Sequence, residues 1–419
     1  MNQWKYGVSI ASAALLAAMG ASAREGASPF TVSNSLHVEF DDNMDQTAND
    51  KVDGFKVSDQ VTVSMQQKLE QGFLGVSYQL IATWWEPRDD KEFTFDHIVD
   101  ATVNHKFSPS LGGTVQNKYI RRDSPEALNA DGTLKRENSS YDYNALNGSV
   151  SLNPAPSSRL DVSGRWQLLR FEDASVADRE DYDAYSVGAT LVSQIRPETA
   201  LLLEARGERF DYPGAGKTVG SPLALPGAEP GAGDRNTIPD RGFDNFIGGV
   251  GLEQMFSPNL SGRVMVGYML KDLKAANAGE ETSPYAEGSL TLNPTPATTI
   301  TLMGTYSLYQ SGLLTYATQE RTAASLSVGH DLTPRFSMYV AGSYANSDYK
   351  GANSVDTVPE AKVRDASEDV LVFSARAVYR LDPSRRHSLE AGWSYTDVSS
   401  DVREEYDRNR YDVAWRIQL

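Results

Sequence analysis

The sequence predicts an all-β fold, a transmembrane antiparallel up-and-down β-barrel of about eighteen strands, with sixteen as the alternative count. Three observations predict it. The chain opens on a secretory signal, its hydrophobic residues recur with a period of two over long segments, and short proline turns alternate with long polar loops.

The first segment carries Lys5, an apolar run from about Val8 to Met19, and the small residues Ala21, Ser22 and Ala23. This is the pattern of a cleaved signal peptide covering residues 1–23. The apolar run is shorter than the roughly 20 residues of a spanning helix. Residues 24–419 then form one barrel domain. Mean hydropathy over the chain is -0.43. That value fits a barrel, because lipid-facing and lumen-facing residues alternate and average out.

The strands follow from period two. In the last segment Tyr411, Val413, Trp415, Ile417 and Leu419 share one face, and Asp412, Ala414, Arg416 and Gln418 the other. Leu160, Val162, Gly164, Trp166 and Leu168 alternate in the same way with Asp161, Ser163, Arg165 and Gln167. Leu371, Phe373, Ala375, Ala377, Tyr379 and Leu381 oppose Ser374, Arg376 and Arg380. Such segments exceed the usual strand of about 5 to 6 residues in a soluble sheet and match the 9 to 11 or so of a tilted spanning strand. Aromatic residues such as Phe107, Trp166, Phe256, Tyr268, Tyr306 and Trp415 recur in or beside them, as interfacial girdles require.

One turn element recurs: Phe107–Leu111, Leu152–Pro156, Ile195–Glu198, Phe256–Leu260, Leu292–Pro296, Leu332–Phe336 and Leu381–Ser384, each with a central proline. Proline presets φ for a turn and cannot donate to a ladder, while neighbouring Ser, Asn, Asp and Thr bond locally to the backbone. Leu69–Gly72 is an eighth turn without proline. Segments 122–140, 172–182, 211–243, 272–283 and 348–366 read as the long connections on the other side. Short periplasmic turns and long extracellular loops are the asymmetry of outer-membrane barrels. Two strands per turn, one at about Ser33–Asp41 and one at the carboxyl end give eighteen.

There is no cysteine, so disulfides, thiolate metal sites and an amino-terminal lipid anchor are excluded. Net charge is -17, or -18 once Lys5 is removed with the signal, which argues against a nucleic-acid partner.

If the polar face lines a lumen, the wall carries Lys106, Gln116, Lys118, Arg165, Glu204, Arg206, Glu208, Arg263, Glu287, Arg376, Arg380, Glu390 and Arg416. Charges of both signs across a channel set the field through which solutes move. The alternative is that they pair across neighbouring strands and keep the wall hydrated. Loop 211–243, dense in Gly and Pro, either enters the mouth or stays outside.

Leu36–Asn43, followed by a polar loop and Val61–Met65, resembles the start of the putative β-barrel porin 2 family, as do the recurring proline turns and the aromatic last strand. The final residue, Leu419, departs from the aromatic residue usual at this position. The resemblance implies an outer-membrane porin of about eighteen strands. For some members it implies the exit of an exopolysaccharide export system, with a periplasmic polysaccharide export protein as partner. Lipid, lipopolysaccharide and the barrel assembly machinery are the general partners expected in a Gram-negative outer membrane.

Other chemistries are poorly supported. Gly216, Lys217 and Thr218 imitate a phosphate loop, but its first glycine falls on Asp211 and no strand-to-helix context is predicted. Asp41, Asn43 and Asp45 begin a calcium-loop spacing, yet Gln46 and Val52 stand where glycine and glutamate are needed. Among the histidines, His97, His105 and His330 fall on the apolar face and His37 joins Glu39 on the lumen face, with no recognisable nucleophile motif. The expected function is a non-enzymatic channel without cofactor or metal, passing hydrophilic solutes or a secreted polysaccharide. The alternative is a closed barrel that serves as a structural anchor or adhesin.

Overall fold

The structure, a computed structural model, describes Pro29 to Leu419 except residues 87–91, 124–125, 129–133, 137–138, 219–237, 239, 275–278, 314–315, 353–364 and 385. The signal segment 1–23 and most of loop 211–243 lie outside the described residues. The strands are β1 (Phe30–Asp41), β2 (Gly54–Leu69), β3 (Gly72–Trp85), β4 (Phe93–Ser108), β5 (Leu111–Arg122), β8 (Tyr141–Ala155), β9 (Ser158–Phe171), β10 (Tyr182–Arg196) and β11 (Thr199–Asp211). They continue as β12 (Phe243–Ser257), β13 (Leu260–Leu273), β14 (Glu280–Thr295), β15 (Thr298–Gln310), β16 (Tyr316–Thr333), β17 (Phe336–Ala352), β18 (Ala366–Arg380), β19 (His387–Ser400) and β20 (Tyr406–Gln418). A two-stranded hairpin, β6 (Glu126–Leu128) with β7 (Leu134–Arg136), decorates one loop, and a short helix α1 (Ala174–Glu180) sits in another.

Eighteen strands pair antiparallel with their chain neighbours, and β1 closes the ring by pairing with both β2 and β20. All eight expected turns are hairpins of this sheet. Six of the proline turns carry a register shift, for example between Lys106 and Ser108 and between Leu152 and Ala155. In four of them the residue left over, Phe107, Ile195, Phe256 or Leu332, lies two positions before the proline, which sits in the turn itself; in the other two, Pro154 and Pro294 fall within the unpaired stretch and remove a ladder donor there. At this rim, which outer-membrane barrels turn to the periplasm, each hairpin is tied to the one before it. Lys106 N–H donates to the Gln71 carbonyl, Asn153 to Ser110, Gln194 to Ser157, and so on to Gln418, which donates to Arg386.

The outer face is apolar. Val103, Val115, Val162, Leu203, Val250, Val264 and Val413 are exposed on it, with Trp166, Tyr185, Phe246, Tyr268, Tyr344 and Trp393. The three histidines expected there are on it: His97 bonds to the Tyr78 hydroxyl at 2.9 Å, His105 packs edge-on to Phe107, and His330 bonds to Thr298 at 2.8 Å. No described helix is long and apolar enough to cross a membrane. The crossing is made by strands.

Two segments read as loops are shorter than expected. β13 runs to Leu273 and β14 begins at Glu280, while β17 runs to Ala352 and β18 begins at Ala366. The ladders outlast the hydrophobic alternation because backbone pairing does not depend on which side chains it carries. Segment 172–182 contains α1, whose N-cap Asp173 accepts from the Ser175 and Val176 amides at 2.8 and 3.3 Å.

The closing seam ends in a buried ion pair. Arg408 on β20 donates from Nε to both oxygens of Asp41 on β1 at 2.9 Å, and again from Nη2. Both residues are buried. The calcium-like spacing at Asp41 is thus explained by protein contacts. Asn43 beside it accepts from Thr47 N–H and donates to the Thr47 and Asp407 carbonyls. Breaking a buried pair leaves a stranded charge costing about 3–5 kcal/mol. Arg408→Ala is expected to lower stability by about that amount, read as a lower urea midpoint for protein folded in lipid vesicles. Asp41→Leu combined with Arg408→Met should recover most of the loss.

In the turn between β18 and β19, the Ser384 hydroxyl and the His387 and Arg386 amides bond to Asp382 and hold its pKa down at about 2, against an ordinary value of 3.8. A depressed carboxylate stabilises fully above the ordinary value and loses this contribution as pH falls through the depressed one. The Asp382 carboxyl resonance should therefore titrate near pH 2, and Ser384→Ala should move the midpoint upward.

Candidate functional site

All thirteen residues expected on the wall lie on the face opposite the apolar one. Lys106, Gln116, Lys118, Arg165, Arg376 and Arg416 are exposed on it. Some are paired. Arg206 reaches Glu208 at 3.2 Å and Glu204 at 3.6 Å along β11, and Arg263 on β13 reaches Glu287 at 3.6 Å and Glu253 at 3.7 Å. Arg376 on β18 lies 3.5 Å from Glu390 on β19. Arg165 donates instead to the Tyr143 hydroxyl at 3.2 Å, and Arg380 to Ser337 at 2.9 Å. Lys118 stands opposite Asp100 in the register of β5 and β4.

Arg376, Gly392 and Asp412 face one another in register across β18, β19 and β20. A β-carbon on Gly392 would fall 2.2 Å from the Asp412 carboxylate. The missing side chain lets Asp412 lean over β19 toward Arg376, 3.7 Å away, while His37 on β1 holds its other oxygen at 3.2 Å.

The inner wall is not uniformly polar. Leu202, Ile247, Met265, Met269, Tyr285 and Leu308 form a buried apolar cluster, with Met265 fully buried. Five of these project inward from β11 to β14. Leu308 comes from β15, whose register with β14 ends at the pair Ala286 and Tyr306. Beyond that pair β15 parts from β14. Pro284, which cannot donate a ladder bond, lies in the stretch of β14 left behind.

The end of the β15–β16 hairpin therefore folds inward across the mouth. Ala317 packs with Phe243 and Leu273 from the inner faces of β12 and β13, and Thr318 donates to Glu281 of β14 at 2.7 Å. Tyr316 packs on the other side with Tyr349, Ala366 and Val402. Next to this, α1 also turns inward. Its Val176 lies in a cluster with Tyr141, Leu169, Phe171, Tyr182 and Ala184. Phe210 and Phe243, stacked at 4.7 Å, join the two clusters.

Buried Arg241 fastens α1 to the long loop. It donates to the Arg179 carbonyl, lies 3.3 Å from Glu180 and sits 4.4 Å over the Tyr212 ring. Burial works against its charge, yet Glu180 and Tyr212 hold its pKa above the ordinary value. Lys217, the residue of the phosphate-loop imitation, pairs with Asp178 of α1 at 2.6 Å. Sequence reasoning missed the inward fold of β15–β16. The available signals were Pro284 within a strand and the break in alternation at Tyr309 and Gln310.

Residues 178–419 match the family model described as "Putative beta-barrel porin 2". The chain belongs to this family. In this porin family member the match begins at Asp178, near the end of α1, and covers β10 to β20, so the resemblance read at Leu36–Asn43 and Val61–Met65 lies before the matched segment. Among solved structures, OccK1 (OpdK) of Pseudomonas aeruginosa is similar at a TM-score of 0.48 and 11% identity, covering 93% of this chain and 99% of that one. OccK2 (OpdF) of the same organism gives 0.49 and 11%, over 93% and 98%. The P. aeruginosa siderophore receptor PirA gives 0.48 and 10%, over 94% and 81%. No curated protein matches the chain. Among the described residues, no group of three or more His, Asp or Glu side chains is placed to hold a metal ion.

The inward fold of the hairpin is directly checkable in a chain that has no cysteine. Leu273→Cys with Ala317→Cys is expected to cross-link within one molecule through a short bismaleimide, resolved by peptide mass. Leu273→Cys with Ser394→Cys should not.

Proposed function

We propose that this outer-membrane barrel is a porin-type channel that passes hydrophilic solutes, a secreted polysaccharide among them, without chemical conversion. The observation that carries the reading is the closed eighteen-strand ring with an apolar outer face and a charged, water-exposed inner one. A ring of that size has room for an aqueous lumen. Charges of both signs on the wall favour weak ion selectivity over a strong preference for one sign.

The inward fold of β15–β16 and α1 supports a second reading, a barrel closed at the mouth that anchors or displays its loops. Single-channel conductance of the detergent-purified protein in a planar bilayer separates the two. The measurement is repeated after removal of residues 211–243 and after Tyr316→Gly with Ala317→Gly, which strip the hairpin of its apolar contacts. Steady openings in the intact protein, enlarged in the glycine variant, support the channel. Openings only in the altered proteins point to a mouth that a partner must open, and silence in all three favours the anchor.

A further inference from the structure

The inner wall has two unlike halves. From β11 to β14 it is filled by buried Leu202, Ile247, Met265, Met269 and Tyr285 and covered by the infolded hairpin. From β15 round to β1 the inward residues are mostly small, Thr299, Ser327, Gly329, Ala341, Ser374 and Gly392 among them, and they leave a groove of about 750 Å³. The groove reaches His37 and Asp412, at the seam where β1 meets β20.

His37 is the middle of a three-residue chain. Its Nδ1 lies 3.2 Å from Asp412 Oδ2, and its Nε2 lies 2.8 Å from the Ser35 hydroxyl, two residues back on the same face of β1. An ionised carboxylate only accepts, so Nδ1 carries the ring proton, and the neutral ring presents its Nε2 lone pair to the Ser35 O–H. Arg376 stands 3.7 Å from the other Asp412 oxygen and fixes the carboxylate from its far side. A hydroxyl bonded to an imidazole that a carboxylate orients is the arrangement that activates serine for acyl transfer. A seam stitch would need only the bond from His37 to Asp412. The bond from Ser35 to His37 adds nothing to the seam, since both of its ends are on β1.

Acyl transfer also needs donors where the carbonyl oxygen turns negative. Ser35 is opposed in register by Arg416 of β20 on one side and Gln60 of β2 on the other. Opposed residues have β-carbons about 4.5–5.5 Å apart, within the length of either side chain. Neither side chain is engaged elsewhere among the described residues, so both have N–H groups to give. Ser35 itself is 8% exposed, which shields its hydroxyl from bulk water and confines access to small acyl groups.

We propose that Ser35, His37 and Asp412 form a hydrolytic site for small, water-soluble carboxylic esters in the barrel wall. Ser35 Oγ bonds to the ester carbonyl carbon as its proton passes to His37 Nε2, and Arg416 and Gln60 hold the oxyanion. The C–O bond to the alcohol then breaks, and His37 returns the proton to the departing oxygen. Water attacks the acyl group on Ser35 in the same way, giving a proton to His37, and the carboxylic acid leaves as Ser35 regains its hydrogen. The inference goes beyond the channel reading and does not depend on it, because solutes without such an ester meet none of this chemistry.

The test is covalent labelling of the folded, detergent-purified protein by methanesulfonyl fluoride, located by peptide mass, together with release of nitrophenol from 4-nitrophenyl acetate. Ser35 is expected to carry the label. Ser35→Ala gives up one hydrogen bond, so it should keep the heat-modifiable gel migration of a folded barrel while losing the label and the steady turnover. His37→Gln should slow labelling at least about a hundredfold. Asp412→Asn, which frees the ring to take the wrong tautomer, should slow it in the same sense and decides the matter if His37→Gln does not fold. Arg416→Gln should lower turnover at least about tenfold. Absence of label on Ser35, turnover unchanged in Ser35→Ala, or labelling unchanged in a folded His37 or Asp412 variant each overturns the site. The label is read whether or not the protein conducts, so failure here and failure of the channel reading are separate results.

Discussion

Hydrocarbon offers no hydrogen bonds, so every backbone amide and carbonyl that crosses it must find a partner within the protein. For a chain of strands the only complete solution is a sheet that returns on itself. The architecture follows from that requirement. β1 has to meet β20, the number of hairpins is set by the number of turns, and side chains sort by parity into those that meet lipid and those that do not. The bonds that tie each periplasmic turn to the previous hairpin extend the same logic to the rim, where the ladders would otherwise fray.

The parting of β14 and β15 shows where the requirement stops. It begins just beyond Tyr306, one of the aromatic residues of the outer face. Past such a girdle water is available to unpaired backbone, and a hairpin is free to leave the wall. There the ordinary rules of a soluble core take over. Leu308, Ala317 and Tyr316 bury apolar surface against the inner faces of other strands, and Thr318 satisfies its hydroxyl on Glu281. The mouth is thus built by core packing, whereas the wall is built by backbone pairing.

This division also explains what could be read in the sequence. The wall was legible almost throughout. Each proline turn marked a hairpin, and the parity of Tyr411, Val413 and Trp415, or of Arg165 and Gln167, assigned the two faces. Eighteen strands follow from counting. The strand ends were not legible, because the ladders at Leu273 and Ala352 run on past the residues that alternate. The interior of the mouth was not legible either. Whether Leu308 faces lipid or Met265 depends on contacts between residues far apart in the chain, and an inward-facing leucine has the same local pattern as an outward one. The groove along β15 to β1 was hidden for a different reason. It is made by what is absent, the side chains of Gly329 and Gly392, and small residues give no periodic signal.

The seam between β1 and β20 joins residues 367 positions apart at Asp41 and Arg408. The pairings of this seam, which reach from Ser33 to Gln418, have the greatest sequence separation in the described sheet, so they can form only after the rest of it is laid down. Until then the open sheet carries two bare edges, and Asp41 has no guanidinium to meet. A carboxylate in that position resists drying out, which disfavours a ring sealed with a strand missing or out of register. The last strand therefore brings the charge that makes the first one acceptable in the closed wall, and a chain that lost its end would be left as an unsealed sheet instead of a smaller barrel.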